Sequence, residues 1–157
     1  MTDKAKSAEL IMKLYDLRRE PVMREARKWF FAFNPETIED IQSAVMGEHS
    51  GYFRMVTTYW DMACSFVNHG AIYAEMFYDA NAEQILVYSR LQPFLEQIRA
   101  AGNPTYMQHV ERAVTSMPNA EERIAYMRAV TARMTQARAA ASPGEQAEQT
   151  GADAAKA

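Results

Sequence analysis

The segment from Gly51 to Gly70, GYFRMVTTYWDMACSFVNHG, constrains the fold of this chain more than any other stretch. It is long enough for roughly five helical turns. Apolar side chains surround most of its circumference: Tyr52, Phe53, Met55, Val56, Tyr59, Trp60, Met62, Ala63, Cys64, Phe66 and Val67. A helix that is apolar nearly all round is enclosed by other elements. The segment therefore predicts a buried central helix over residues 51–69.

The rest of the chain carries helical periodicity, and no segment alternates with period two for the length of a strand. Its 157 residues favour one domain with a self-sufficient core. We therefore predict an all-α fold, a single-domain orthogonal or irregular bundle of about six to eight helices over residues 1–141. From Ser142 onward no large apolar residue occurs, so residues 142–157 are predicted to be a disordered tail.

Prolines and capping residues set the predicted helix boundaries in the first third of the chain. Ser7 is predicted to cap the first helix. Pro21 either kinks that helix or restarts it, because proline is tolerated at the first helical position. The pair Asn34-Pro35 predicts the start of the next helix.

Three further helices are predicted in the second half. One runs from about Asn81 to Ala101, with Pro93 inside it as a bend or a break. The pair Asn103-Pro104 repeats the earlier start signal and predicts another helix start there. A last helix, residues 120–139, has a thin apolar stripe and is interpreted as a loosely docked arm or an intersubunit contact.

Charge is segregated along the chain. Residues 4–28 carry eight Lys/Arg against four Asp/Glu, residues 34–96 carry two against nine, and residues 98–141 carry six against three. This pattern suits basic ends packed over an acidic middle, head-to-tail contact between copies, or a solvated surface with no partner. The net charge of −3 argues against nonspecific nucleic-acid binding as the main task.

Cys64 is the single cysteine, which excludes an intramolecular disulfide and every multi-cysteine zinc motif. Within so apolar a helix it is interpreted as a small inert hydrophobe. Charges interrupt residues 1–17, so no signal peptide is expected there. No stretch is long and apolar enough for a transmembrane helix. These features together predict a cytoplasmic protein.

The central helix carries one polar stripe. Its members lie three or four residues apart and therefore share one face: Arg54, Thr57 or Thr58, Asp61, Ser65 and Asn68. If Asp61 is buried, it needs a hydrogen-bonding or cationic partner. The stripe is either an exposed or partner-satisfied edge of the helix or the polar wall of a pocket. The candidate residues for this polar seam or pocket are Arg54, Thr58, Tyr59, Trp60, Asp61 and Ser65.

Catalytic, metal and cofactor sites are not expected. The chain lacks the Glu-x-x-His pairs of di-iron bundles, Gly-rich phosphate loops and dinucleotide fingerprints. Its three histidines fall in a loop, at a helix end and on a polar helix face. Glu75, Asp79 and Glu83 are spaced by four and are interpreted as capping and solvated residues, with a divalent-cation or basic-partner site as the alternative.

The middle of the chain resembles a widespread, functionally uncharacterised bacterial all-helical family. The matching features are Tyr59-Trp60 within a helix, the helix end Asn68-His69-Gly70 followed by Ala71-Ile72, then Phe77, and Leu91-x-Pro93-x-Leu95 before Ile98-Arg99. The resemblance covers about residues 59–99. It implies a helical fold and no activity that can be assigned to a residue here.

Three functions are compatible with this sequence. The leading one is contact with other proteins, chiefly self-association, which the apolar richness and the charge segregation favour. The second is a small-molecule sensor or binding module, with a pocket near Trp60 and Asp61 as its polar group. The third is an enzyme, which requires Asp61 or a histidine to converge with other titratable groups in a cleft.

Overall fold

The computed structural model describes residues 3–141, and within this range the chain is helical and contains no β-strand. The all-α prediction is confirmed. The described range contains nine α-helices: α1 (Lys4–Arg18), α2 (Pro21–Ala32), α3 (Ile38–Met46), α4 (Ser50–Asn68), α5 (Ala74–Ala80), α6 (Glu83–Leu91), α7 (Leu95–Ala100), α8 (Gln108–Thr115) and α9 (Ala120–Ala141). A 3-10 turn (Gln92–Phe94) lies between α6 and α7. The predicted tail, residues 142–157, lies outside the described residues.

Helix α4 lies at the centre of the bundle, as its sequence predicts. Helices α2, α3, α5, α6 and α8 all pack against it. Trp60, Ala63 and Cys64 on this helix are completely buried. The helix ends just before Gly70, which has a φ of 73°. Glycine adopts this left-handed conformation without strain, and it commonly ends a helix in this way.

One face of α4 remains open, although the sequence indicated an almost fully enclosed helix. Met62 and Phe66 are 39% and 38% exposed on this face. The same face carries Arg54 and Thr58, because residues four apart lie above one another on a helix. No helix in the described range, α4 included, has both the length and the apolar character of a membrane span.

The predicted cap of α1 is wrong. Asp3, not Ser7, is the N-cap, and its carboxylate accepts the backbone N–H of Ala5 at 2.9 Å. Ser7 lies inside the helix and is fully buried. Its hydroxyl donates to the Asp3 carbonyl oxygen and accepts the backbone N–H of Tyr73 at 3.0 Å. Ser7 therefore fastens α1 to the start of α5, a tertiary role that a local capping pattern does not reveal.

The boundaries around α2 and α3 are partly as predicted. The helix restarts at Pro21, which is the first residue of α2. The N-cap of α3 is Thr37, and not Asn34. The Asp40 carboxylate accepts the N–H of Thr37 at 2.9 Å, and the Thr37 hydroxyl accepts the N–H of Asp40 at 3.3 Å. Such a reciprocal capping box satisfies two backbone donors, whereas a lone Asn34 cap satisfies one.

The helix predicted around Pro93 is divided into α6 and α7 by the 3-10 turn that contains this proline. Proline lacks the N–H that would continue the helical hydrogen bonds, so the α-helix is interrupted there. Helix α8 begins at Gln108, later than the predicted start at Asn103-Pro104. Met107 precedes it in the left-handed conformation, with a φ of 56°.

Helix α9 docks within the chain, against α6 and α8. Ile124 and Thr131 are its buried residues. The Arg128 guanidinium donates to the Ser89 carbonyl oxygen at 3.4 Å and also to the side chain of Gln92. The thin apolar stripe thus corresponds to a helix attached by few buried side chains.

Candidate functional site

The polar stripe of α4 faces a groove of about 730 Å³. Its walls are formed by α3, α4, the connection between α7 and α8, and the start of α8. Its apolar lining consists of Ile41, Val45, Phe53, Met62, Ile98 and Met107. Grooves of this volume, with apolar walls and a few polar groups, are typical of small-molecule sites.

Four of the six candidate residues line this groove: Arg54, Thr58, Asp61 and Ser65. The Thr58 hydroxyl donates to the Arg54 carbonyl oxygen at 2.6 Å, and the Ser65 hydroxyl donates to the Met62 carbonyl oxygen at 2.7 Å. Each hydroxyl therefore uses its single hydrogen inside the helix. Its oxygen keeps acceptor capacity for a group in the groove.

Tyr59 and Trp60, the other two candidates, do not line this groove. The Tyr59 hydroxyl donates to the Leu14 carbonyl oxygen at 2.6 Å, and the Trp60 indole donates to the Glu83 carboxylate at 3.2 Å. Burial raises the pKa of Tyr59 to about 12. The polar atoms of both side chains thus connect α4 to other helices, and the groove lies on another face of α4.

Asp61 caps a helix other than its own. Its Oδ1 accepts the backbone N–H groups of His109 and Val110, each at 3.0 Å. Met107 occupies the N-cap position of α8, and its side chain makes no capping hydrogen bond. A carboxylate at this position also favourably faces the positive end of the helix dipole. Among residues 3–141, the hydrogen-bonding partner of Asp61 is therefore the backbone, and not a Lys or Arg side chain.

The loop before α8 forms the groove wall opposite α4. The Arg99 guanidinium donates to the Tyr106 carbonyl oxygen at 3.0 and 2.9 Å and pairs with Glu111 at 2.8 Å. The Tyr106 hydroxyl is buried and has no hydrogen-bond partner among residues 3–141. Burial raises the pKa of Tyr106 to about 12. This wall thus contains an unsatisfied polar group.

Two histidines lie close to each other, and one of them adjoins Asp61. The rings of His69 and His109 have centroids 5.7 Å apart, and the backbone of His109 is bound to Asp61. His49 lies apart from them and stacks on Trp29 at 5.1 Å. Within residues 3–141, no group of three His, Cys, Asp or Glu side chains is arranged to hold a metal ion. The structure therefore brings two of the three histidines together, and one of them, His109, is bonded to Asp61 through its backbone N–H.

A second cavity, of about 510 Å³, lies between the end of α2 and helix α3. Trp29 in its wall is stacked against Phe33 at 5.0 Å and against His49 at 5.1 Å. Asp40, another wall residue, is bound within the capping box of α3. Trp29, Phe33, His49 and Asp40 in this wall thus already contact other residues of the chain.

Glu83 is the centre of a buried ion cluster, and its interpretation as a solvated residue is wrong. Its side chain is 8% exposed. Arg27 donates from Nε to both carboxylate oxygens at 3.0 Å and from Nη2 at 2.5 Å. Arg18 lies 3.9 Å away, and Trp60 donates to the same carboxylate. The partners come from α1, α2 and α4, so spacing along the sequence around Glu83 gave no signal for this cluster.

Arg90 is a second buried charge, and the pattern of the sequence around it does not indicate its burial. Its guanidinium donates to the carbonyl oxygens of Phe30, Phe31 and Phe33, at the C-terminus of α2. Burial lowers the pKa of Arg90 to about 10, and Arg138 contributes in the same direction. A cation at this position satisfies carbonyl groups that the helix leaves unpaired. Arg90 therefore fixes α6 to the end of α2.

Residues 5–117 match the model of a protein family described as a domain of unknown function, DUF4760. The chain belongs to this family. The match confirms the resemblance seen over residues 59–99 and extends it from α1 through α8, so it includes the groove at α4. Helix α9 lies beyond the part that matches DUF4760. No curated protein and no solved structure matches the chain.

Proposed function

We propose that this DUF4760 protein binds a small amphipathic molecule in the groove between α3, α4 and α8, and that it does so without catalysis. One observation carries the proposal. The polar stripe of the central helix opens onto a space of about 730 Å³. A polar stripe packed against a neighbouring helix would only stabilise the fold, whereas a space of this size accommodates a ligand.

The walls of the groove match the two parts of an amphipathic molecule. Val45 and Met62 are each 39% exposed at the groove, while Ile41 and Met107 are buried beneath it. An apolar body bound against these side chains would remove their remaining surface from water, which is favourable. The polar groups along α4 would then orient the polar part of the molecule.

The neutral dye N-phenyl-1-naphthylamine tests the proposal, because its fluorescence rises when it leaves water. We expect saturable binding to the wild-type protein. Thr58→Trp fills the groove with a large side chain and should weaken dye binding by about tenfold or more, the cost of losing roughly 1.4 kcal/mol.

Thr115→Trp is the matched control for this experiment. Thr115 is exposed, lies outside the groove, and donates to the Glu111 carbonyl oxygen at 2.7 Å, as Thr58 donates to that of Arg54 at 2.6 Å. The two variants therefore lose the same helix-internal hydrogen bond. Equal dye affinity in both variants, or no saturable binding to the wild type, would contradict the proposal.

Self-association is a second proposal, supported by exposed apolar side chains on surfaces of opposite charge. Met12 and Leu17 on the basic α1 are 61% and 55% exposed. Met46 on the acidic α3 is 85% exposed. We propose that the α1 surface of one copy contacts the α3 surface of another. Complementary charge of this kind favours and orients such an encounter.

Sedimentation velocity over a range of concentrations tests this contact. Met46→Ser should weaken association, because it removes the most exposed of these apolar side chains, and added salt should weaken it further. Tyr126→Ser on α9 is the control, since Tyr126 is 67% exposed and lies on neither surface. A monomer at every concentration would refute self-association and leave the groove proposal unaffected.

We also propose a reducing, cytoplasmic setting in a bacterial cell. Cys64 is the single cysteine of the chain and is completely buried. A protein that needs no disulfide suits a reducing compartment. The bacterial origin is supported by the family resemblance over residues 59–99.

A further inference from the structure

The two formally charged side chains that line the α4 groove differ in whether they have partners. Among the residues that line the groove, Arg54 supplies the positive charge and Asp61 supplies the carboxylate. Asp61 is engaged through two backbone hydrogen bonds to α8. The Arg54 guanidinium forms no ion pair and no side-chain hydrogen bond with any residue in the range 3–141. Within the described range, the groove therefore presents a cation that lacks a partner and a carboxylate that is already hydrogen-bonded.

Two hydrogen bonds and the dipole of α8 both stabilise the negative charge of Asp61. Its two hydrogen bonds come from the first turn of α8, where the helix dipole places partial positive charge. Arg54 lies seven residues before Asp61 on α4, a separation of roughly 10 Å along the helix axis. A negative group bound at Arg54 is thus distant from the Asp61 charge and meets no other carboxylate among the lining residues.

We infer that the groove binds an amphipathic anion, namely a carboxylate on an apolar body, with the carboxylate paired to Arg54. The apolar body lies along Val45, Met62 and Met107, toward the start of α8. Guanidinium and carboxylate form two parallel charge-assisted hydrogen bonds, which neither an alcohol nor an amine reproduces. This inference rests on the proposed function of the groove and adds the chemical class of the ligand.

Three probes with the same eight-carbon chain separate charge from apolar binding: octanoate, octan-1-ol and octylamine. Calorimetric titration of the full-length protein gives the affinities, and amide NMR shifts at Ser65 and His109 report whether each probe occupies the groove. We expect octanoate to bind about tenfold more tightly than octan-1-ol, which corresponds to about 1.4 kcal/mol for the charged contact. Added salt should weaken the binding of octanoate and leave that of octan-1-ol unchanged, because the carboxylate contacts an exposed guanidinium.

Arg54→Gln tests the residue that anchors the anion, and Arg112→Gln is its matched control. Both arginines are exposed, and Arg112 lies outside the groove. Arg54→Gln should weaken octanoate binding by about tenfold and leave octan-1-ol binding unchanged. Arg112→Gln removes the same net charge and should leave both affinities unchanged.

The possible results separate failure of the ligand class from failure of the groove proposal. Octan-1-ol or octylamine binding as tightly as octanoate overturns the anion inference while retaining a binding groove. Equal loss of octanoate affinity in the Arg54 and Arg112 variants overturns the role of Arg54. Absence of binding by all three probes overturns the inference, and together with absent dye binding it also overturns the proposed function.

Discussion

The carboxylate of Asp61 and the backbone N–H of Val110 are joined by a hydrogen bond of 3.0 Å across 49 residues of sequence. The same oxygen accepts the N–H of His109. A side chain of the central helix thereby supplies the N-terminal cap that α8 lacks at Met107. Because α8 and the loop before it form a wall of the groove, this contact sets the position of that wall relative to α4.

Removal of the Asp61 carboxylate should destabilise the protein at the start of α8. Asp61→Ala leaves two backbone donors without their acceptor, and loss of a cap of this kind costs about 1–2 kcal/mol. Urea denaturation measures the loss, and hydrogen exchange should accelerate at the amides of His109 and Val110. The control is Asp79→Ala, because Asp79 is exposed. Equal stability of the two variants would show that the cap contributes nothing.

Neutralisation of Glu83 should destabilise the protein more than neutralisation of a surface carboxylate. Glu83→Gln leaves the cations of Arg27 and Arg18 without their buried counterion, at a cost of roughly 2–4 kcal/mol when part of the cluster remains hydrated. Glu9→Gln is the control, because Glu9 pairs with Lys6 where both side chains are more than 60% exposed. Exposed pairs contribute about 0–1 kcal/mol. Denaturation curves that coincide for the two variants would contradict the prediction.

Helix content and the centre of the bundle could be predicted because both depend on local pattern. The apolar character around Trp60 indicated burial, and Pro21 marked a helix start, from a few neighbouring residues alone. The spacing of Arg54, Thr58, Asp61 and Ser65 placed them on one face of one helix. The structure shows that this face opens onto the groove.

The opposite wall of the groove could not be predicted, because its contacts join distant parts of the sequence. Nothing near Asp61 indicates that its partner is the backbone of Val110, and nothing near Glu83 indicates Arg27. Ser7 has the residue type and position of a cap, yet its hydroxyl receives a bond from Tyr73. In each case a polar group that local rules assign to solvent or to its own helix is satisfied by another element.

Tyr59 should make stability fall as the pH rises from about 10 to about 12. Burial raises the pKa of Tyr59 from 10.0 to about 12 in the folded protein, with Arg18 acting in the opposite direction. The folded state therefore holds the phenolic proton more tightly than the unfolded state. This contribution is complete below the unfolded-state pKa and is lost as the pH passes the folded-state pKa.

Tyr59→Phe removes the titrating group, so its stability should decline less steeply than that of the wild type over this pH interval. Urea denaturation at several alkaline pH values gives the slope. Tyr126→Phe is the control, because Tyr126 is 67% exposed. The same slope in the wild type and in both variants would exclude Tyr59 as a source of the pH dependence.

Cys64 should resist modification while the protein is folded. Its side chain is completely buried, and burial together with the charge of Asp61 raises the pKa of the thiol. Since the thiolate is the reactive form, iodoacetamide at neutral pH should label the native protein only through opening of the fold. Labelling should become fast in denaturant, as followed by mass spectrometry. Equally fast labelling of native and unfolded protein would contradict burial of this thiol.

Helix α9 should contribute to stability through Ile124, although it lies beyond the part of the chain that matches the family. Ile124 is 7% exposed, whereas Tyr126, two residues later, is 67% exposed. Ile124→Ala removes buried methyl groups and should cost about 2–4 kcal/mol, whereas Tyr126→Ala should change stability by less than about 0.5 kcal/mol. Thermal denaturation at two protein concentrations measures both effects. A loss for Ile124→Ala that appears at only one concentration would indicate that α9 packs between copies and not within the chain.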